Sequence, residues 1–268
     1  MSQGYLTFAI NNDNVDYVRL AYLQALSIKA TQKNNQYAVV VKSLDHVDKK
    51  YQEVFDHIIE LPNTTSKFDH EYRALSLSPF KETIKVEADI LFTRSIDHWW
   101  NYFDNDVIVT NHVMTYYDKL YSDRSQRGLF DNNNLPDVYS GLVFFRYSRF
   151  AVGFFNLVRD IYLNWAWFRD SYLKNCRYEY PVTDEVYAIA CKILGTNLTT
   201  STADFPTFVH MKPAGQNLHD NKPWFEQVYV EKNQNDLTVG FFRQYLPFHY
   251  VDKTFASEEL IASYERRI

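Results

Sequence analysis

Glu87 and Asp89 flank the small Ala88 inside an otherwise apolar run, Thr83-Ile84-Lys85-Val86-Glu87-Ala88-Asp89-Ile90-Leu91-Phe92-Thr93. A carboxylate taken out of water without a partner costs several kcal/mol, so two of them in a buried strand call for a cation or ligand against them. On an extended chain residues i and i+2 face one side, so the spacing predicts both acids on one face, with Ala88 pointing the other way and admitting a close neighbour. Acid-small-acid at the end of a hydrophobic strand is how an Asp-x-Asp metal motif is written, and hard oxygen donors of this kind suit Mn or Mg. The plainer reading is a strand-end turn with solvated acids, because such a tripeptide is common by chance. Two other places carry chemistry. Asp184 and Glu185 follow Thr183 at a helix start, where acids also serve simply to face the helix dipole. His210 and Lys212 end the short apolar stretch Phe208–Pro213, and their spacing of two puts both on one face of a strand.

The elements that must position these groups read as an alternating pattern. Tyr5 to Ile10 is a short apolar strand running into Asn11-Asn12-Asp13-Asn14, a turn cluster able to cap the next helix. That helix carries Val18, Leu20, Ala21, Leu23, Ala25, Leu26 and Ile28, mostly three and four apart, and extends to about Thr31. Tyr37 to Val41 is a second buried strand, so strand, helix and strand imply a right-handed parallel crossover in an α/β sheet. Ligands on such sheets bind at strand C-terminal ends, here Ala9, Ile10 and Asn11, and no Gly-x-Gly-x-x-Gly follows the first strand. Further along, the pattern predicts a helix over Val47–Phe55, a strand over His57–Leu61 ended by Pro62, and a helix over His70–Leu77. It then predicts strands over Val107–Thr110 and Val138–Arg146, the second with Gly141 allowing close backbone approach. Between them, Asn111 to Pro136 reads as an active-site loop or a surface excursion. Helices follow from Ser148 to about Leu173, over Val186–Leu194 with Thr183 as N-cap, and over Ser257–Arg266.

Composition narrows the class of partner. The chain of 268 residues is long enough for one large α/β domain, and its net charge of −5 argues against a strongly basic nucleic-acid binder. Aromatics make up 17 %, with 21 Tyr and 20 Phe, and Tyr-rich surfaces hold sugars or bases by stacking. Cys176 and Cys191 lack metal or redox spacing and read as reduced core thiols. No basic segment followed by an apolar core opens the sequence, and no apolar run reaches membrane length, so the expectation is a cytoplasmic protein with no membrane partner.

Taken together, the pieces resemble the glycosyltransferases of the GT-A fold, most closely the glycogenin-like family 8 group and related phage-encoded proteins. The resemblance rests on five blocks in order. Ser78 to Phe92 is similar to the family's Asp-x-Asp strand block, and Ser95-Ile96-Asp97-His98-Trp99-Trp100 to the segment after it. Ser140-Gly141-Leu142-Val143-Phe144-Phe145 resembles the family's Asn-Ser-Gly strand. Thr183-Asp184-Glu185 stands where the family has its Asp-Gln-Asp helix start, and His210 stands at the C-terminal metal position. Glu87 replaces the usual first Asp. The family's His-x-x-Gly-x-x-Lys-Pro-Trp is split here between His210-Met211-Lys212 and Lys222-Pro223-Trp224.

The resemblance implies a Rossmann-like, mostly parallel sheet flanked by helices in a single domain over 1–268, with 1–110 binding a nucleotide sugar and 111–268 the acceptor. It implies a divalent cation, Mn or Mg, held by Glu87, Asp89 and His210, and a lysine on the diphosphate that is either Lys212 or Lys222; Lys212 is preferred because it shares a strand face with His210. Ile10 and Asn11 would receive the base, Arg73 the donor phosphate or sugar, and Ser140 and Gly141 the sugar, with Ala9, Glu87 and Ala88 also among the nucleotide-sugar-binding residues. Asp184 or Glu185 would face the acceptor as the catalytic acid group. The implied reaction moves a sugar from a nucleotide diphosphate donor, a UDP-sugar, to an acceptor hydroxyl. Similarity to phage proteins makes 5-hydroxymethylcytosine in DNA one acceptor, with Lys119, Arg124, Arg127, Arg146 and Arg149 as its basic surface and the host cytoplasm as the location. A saccharide or protein acceptor is the alternative, and a non-catalytic carbohydrate- or nucleotide-binding module is the other, with Glu87 as the mark of decay.

Overall fold

The computed structural model describes residues 2–62, 70–125, 127–233 and 236–268. Its strands are β1 (Gln3–Phe8), β2 (Tyr37–Val41), β3 (His57–Glu60), β4 (Glu82–Val86), β5 (Ile90–Leu91), β6 (Val107–Thr110), β7 (Tyr139–Arg146), β8 (Val209–His210), β9 (Val230–Asn233), β10 (Asp236–Val239), β11 (Phe242–Arg243) and β12 (Phe248–His249). The main sheet has the order β3-β2-β1-β4-β7-β6. β1 pairs in parallel with β2 on one side and β4 on the other, and β2 with β3. β7 runs antiparallel to β4 and β6. β2, β4 and nearly all of β7 are buried along their length because helices cover both faces, which is why they read as apolar runs in the sequence. The expected α/β architecture with a mostly parallel sheet is the one observed.

One face is covered by the helix Tyr17–Thr31, whose Leu20, Leu23 and Leu26 join Tyr5, Val39 and Ile84 in a common core. Asp16 caps that helix, its carboxylate accepting from Arg19 N at 3.0 Å. The other face is covered by the helices Arg149–Leu163 and Thr183–Leu194, which bring Phe154, Val158, Val186 and Ile189 against Val109, Val143 and Phe145. The chain passes from β1 to β2 on one side and β4 lies on the other, so the strand order reverses beside β1, where open α/β sheets form their ligand crevice.

Several local expectations are revised. The helix expected from Ser148 to Leu173 is two, Arg149–Leu163 and Trp165–Tyr172, separated at Asn164. Thr183 is the first helical residue rather than the cap; Val182 occupies the cap position and makes no side-chain cap bond. The span Val47–Phe55 contains only the helical turn Lys49–Gln52. The stretch Thr83–Thr93 is not one strand. β4 stops at Val86, Ile90 N closes a turn onto Glu87 O at 3.1 Å, and β5 starts beyond it. The two acids therefore converge across a turn and not along a pleat.

β5 belongs to a second sheet of order β5-β12-β8, with β12 antiparallel to β5 and parallel to β8. Its register sets His249 opposite both Ile90 and His210. Tyr250 N donates to Asp89 O at 3.1 Å, and Met211 N to His249 O at 3.0 Å, so this little sheet ties the C-terminal segment to the acidic turn. Among the described residues, no helix is long and apolar enough to cross a membrane.

Candidate active site

The acidic turn is bolted from behind by one buried side chain. Gln24, on the sheet-facing side of the helix Tyr17–Thr31, donates to Glu87 O at 2.6 Å and to Ile90 O at 2.8 Å. Its carbonyl oxygen accepts from Thr7 Oγ1 at 2.5 Å and Tyr37 OH at 2.8 Å. Both donors and the acceptor of the amide are satisfied, so a polar group in the core fixes the backbone that carries the acids. From the other side, Glu87 N donates to Gly141 O at 2.9 Å. A Cβ at Gly141 would lie 3.3 Å from Glu87 Oε2 and 3.2 Å from Phe208 Cζ, so the absence of a side chain there lets β7 approach the carboxylate.

The histidine that meets both acids is His249. Its Nε2 lies 2.9 Å from Asp89 Oδ2 and 3.4 Å from Glu87 Oε2, and one ligand atom from each of Glu87, Asp89 and His249 falls within 4.8 Å of the others. Two hard carboxylates and an imidazole are a donor set that fits a divalent cation such as Mn. His210, expected as the third ligand, stands directly behind, with its Nδ1 3.0 Å from His249 Nδ1. Lys253 Nζ lies 2.5 Å from Asp89 Oδ2 and donates to Val251 O at 2.8 Å.

Charge is divided unevenly between the acids. Burial by itself would push the Asp89 carboxyl up, but the His249 imidazole and the Lys253 ammonium against it hold it well below the usual carboxylate range. Burial raises Glu87, the pull of His249 does not bring it back, and Asp89 adds to the rise. The Glu87 side chain, 37 % exposed, lines the cleft beside the buried Asp89 and His249, and desolvation is the largest influence on it. Burial would lower His249; Asp89 and Glu87 outweigh it and raise the imidazole. His210 is pushed well below its ordinary value by burial and then by His249, Lys212 and Arg127, against a weaker opposing pull from Asp89.

These groups form one wall of a cleft of about 660 Å³ at the C-terminal ends of β1, β2 and β4. Ile10 and Asn11 line it after β1, Lys42 after β2, and Glu87, Ala88 and Asp89 after β4. Ser140, Gly141 and Asp184 face them, with Lys212 beside His210. On the floor Lys85, 1 % exposed, holds Glu71 Oε2 at 2.5 Å and donates to Ser140 O at 3.0 Å. Asp184 Oδ1 accepts from Ser140 N at 2.8 Å and Ser140 Oγ at 2.7 Å, and its Oδ2 lies 3.2 Å from Arg127 Nη2. Arg127 packs at 3.9 Å over the Tyr139 ring.

Of the residues expected at the site, Ile10, Asn11, Glu87, Ala88, Asp89, Ser140, Gly141, Asp184, His210 and Lys212 line this cleft. The side chain of Asn11 is held by the helix behind it, accepting from Val18 N and donating to Asp16. Ala9 is buried beside it, bonded through its N to Val40 O. Glu185 turns into the core, where its Oε2 is buried without a hydrogen-bond partner among the described residues. Arg73 is not brought to the cleft; its guanidinium lies against Tyr72, 5.4 Å from the ring centroid. Lys222 lines a separate, smaller hollow with Pro223 and Trp224. His249, Lys253 and Gln24 were not anticipated. A histidine inside the apolar stretch Phe248–Val251, and a glutamine in the run Leu23-Gln24-Ala25-Leu26, are the signals that mark them.

No family model matches this sequence, and no curated protein matches it. Among solved structures the chain is similar to mouse xyloside xylosyltransferase 1 in its apo form, with 10 % identity and a TM-score of 0.51 over 80 % of this chain and 89 % of that one. It also matches the galactosyltransferase LgtC in complex with donor and acceptor sugar analogs, at 10 % identity, a TM-score of 0.48, and 81 % and 84 % coverage. A third match is the glycosyltransferase GlyE of Streptococcus pneumoniae TIGR4, at 10 % identity and a TM-score of 0.44, covering 75 % of this chain and 46 % of GlyE. The chain thus spans less than half the length of GlyE and most of the length of the other two. The protein has the GT-A glycosyltransferase fold: a mixed α/β chain with a six-stranded, mostly parallel sheet between helices.

Proposed function

We propose that the protein is a metal-dependent glycosyltransferase that moves a sugar from a nucleotide diphosphate donor, a UDP-sugar, to an acceptor hydroxyl on a saccharide. The observation that carries this reading is the meeting of Glu87, Asp89 and His249 within 4.8 Å, in a cleft at the sheet's strand-order reversal. A divalent cation, Mn or Mg, held by those three residues supplies Lewis-acid neutralisation of the charge on a departing diphosphate. Lys212 lines the same cleft and offers the phosphates a point charge, which favours it over Lys222. Ile10 and Asn11 bound the end suited to the base. Ser140 and Gly141 line the place of the donor sugar, and Asp184, locked by two bonds from Ser140, faces the acceptor.

A saccharide acceptor is favoured over hydroxymethylated DNA because three of the five residues of that basic surface are engaged within the molecule. Arg124 pairs with Asp131 and Asp137, Arg127 with Asp184, and Arg146 with Glu82 and Asp106. Those pairs reduce the positive charge that this surface offers a phosphate backbone.

Calorimetry with UDP in Mn and in chelator tests the reading. Metal-dependent affinity is expected; equal affinity in chelator would reduce the protein to a nucleotide-binding module. Hydrolysis of UDP-sugars should be lost in Asp89→Asn. Mass spectrometry of saccharide acceptors and of DNA carrying hydroxymethylcytosine then separates the acceptor classes, and a mass gain on the DNA alone would overturn the saccharide assignment.

A further inference from the structure

Lys253 sits on the Asp89 oxygen that faces His249. Its Nζ lies 2.5 Å from Asp89 Oδ2, and the same oxygen lies 2.9 Å from His249 Nε2. An ammonium and a divalent cation cannot both sit at coordinating distance from one carboxylate oxygen without strong mutual repulsion. The segment that delivers Lys253 is held in an unfavourable conformation. Val251, a β-branched residue, has φ of +59°, and Asp252 N closes onto Tyr250 O at 2.5 Å. Such a backbone persists only where the surroundings impose it. The Lys253 side chain is 31 % exposed and lines the cleft, so it has room to leave Asp89 without unfolding anything.

We propose that Lys253 is a tethered counter-ion that a divalent cation must displace from Asp89. The site then takes up its cation weakly alone and tightly once an anionic nucleotide offers the displaced ammonium a new partner. This rests on the cation site of the preceding reading and adds an order of binding to it: cation and nucleotide load together. The coupling is reciprocal, so the nucleotide also binds better with the cation present.

Binding of Mn alone and of Mn with UDP, followed by electron paramagnetic resonance of free Mn, tests the proposal. The proteins compared are the wild type, Lys253→Met, Lys253→Gln, Lys42→Met and Asp89→Asn. Without nucleotide, both Lys253 variants should bind Mn about tenfold or more tightly than the wild type, and the further gain given by UDP should shrink. Damage to the fold would lower affinity, so a gain is not mimicked by misfolding, and the Gln variant keeps a donor for Val251 O. Lys42 lines the same cleft from the end of β2, and its replacement should produce a much smaller gain. Unchanged or weaker Mn binding in both Lys253 variants, or an equal gain in Lys42→Met, would overturn the proposal. If Asp89→Asn still abolishes Mn binding in that case, the cation site stands and only the role of Lys253 falls. If Asp89→Asn binds Mn like the wild type, both fall.

Discussion

The imidazoles of His210 and His249 meet nitrogen to nitrogen, 3.0 Å apart at their Nδ1 atoms. Only one proton fits between them, so the state of one ring dictates the tautomer of the other. His249 turns its second nitrogen to the acids, and His210 fixes how that ring is oriented. His249→Ala should abolish Mn binding, whereas His210→Ala should weaken it roughly 10- to 100-fold, the usual cost of losing a residue that orients a ligand. Titration of both variants with Mn distinguishes the roles. Equal losses would make His210 a ligand in its own right.

Gln24 is the second test of how the acids are held. Gln24→Leu keeps the apolar bulk of the helix but removes the donor to the carbonyls of Glu87 and Ile90, its partners at 2.6 and 2.8 Å, and leaves Glu87 O only its turn bond from Ile90 N. Losing the donor to a buried carbonyl should cost about 1–3 kcal/mol in a urea unfolding titration. Whatever protein remains folded should bind Mn less tightly, because the turn is no longer clamped. Wild-type stability in this variant would mean that water or another side chain takes over the bonds.

Gly141→Ala should harm the site more than the fold. The added methyl would press at 3.3 Å on Glu87 Oε2 and at 3.2 Å on Phe208. Overpacking of this kind costs about 1–3 kcal/mol, while the displaced carboxylate should lower sugar transfer or UDP-sugar hydrolysis by more than the loss of stability explains. The comparison to make is the change in melting temperature against the change in rate.

Glu185 gives a pH dependence whose sign can be worked out. Burial raises its carboxyl, and neighbouring Asp184 raises it further, so the folded chain holds this proton more firmly than the unfolded chain does. Its contribution to stability is therefore present in full below the ordinary glutamate range, and is lost as pH climbs from there through the raised folded value. Glu185→Gln removes the ionisation. It should raise the melting temperature by a few degrees at neutral pH relative to wild type, and the advantage should vanish near pH 4. An advantage that is the same at both pH values would show that charge is not the cause.

How much of this could be read from the chain itself follows from where each signal is stored. The main sheet was legible because strands buried on both faces are written as apolar runs, as at Tyr37–Val41 and Val107–Thr110. Glu87 and Asp89 were legible as charges inside such a run, although their convergence comes from a turn that the strand pattern hid. Lys212 could be preferred to Lys222 on face alone, and it lines the cleft. His249 and Lys253 were not legible as site residues, because β12 is only two residues long and its register against β5 and β8 is a tertiary fact. Arg73 could not be placed from the chain, because a helical position says nothing about direction; its guanidinium lies against the Tyr72 ring.

The threading of β12 between β5 and β8 sets a schedule for biosynthesis. A nascent chain that has not yet released β12 from the ribosome already has every strand of the central sheet and both acids, but neither His249 nor Lys253 to face them. Until that late segment docks, Asp89 lacks both of the nitrogens that meet it in the finished fold, His249 Nε2 and Lys253 Nζ. The histidine that meets both acids is therefore made after every strand of the scaffold that carries them.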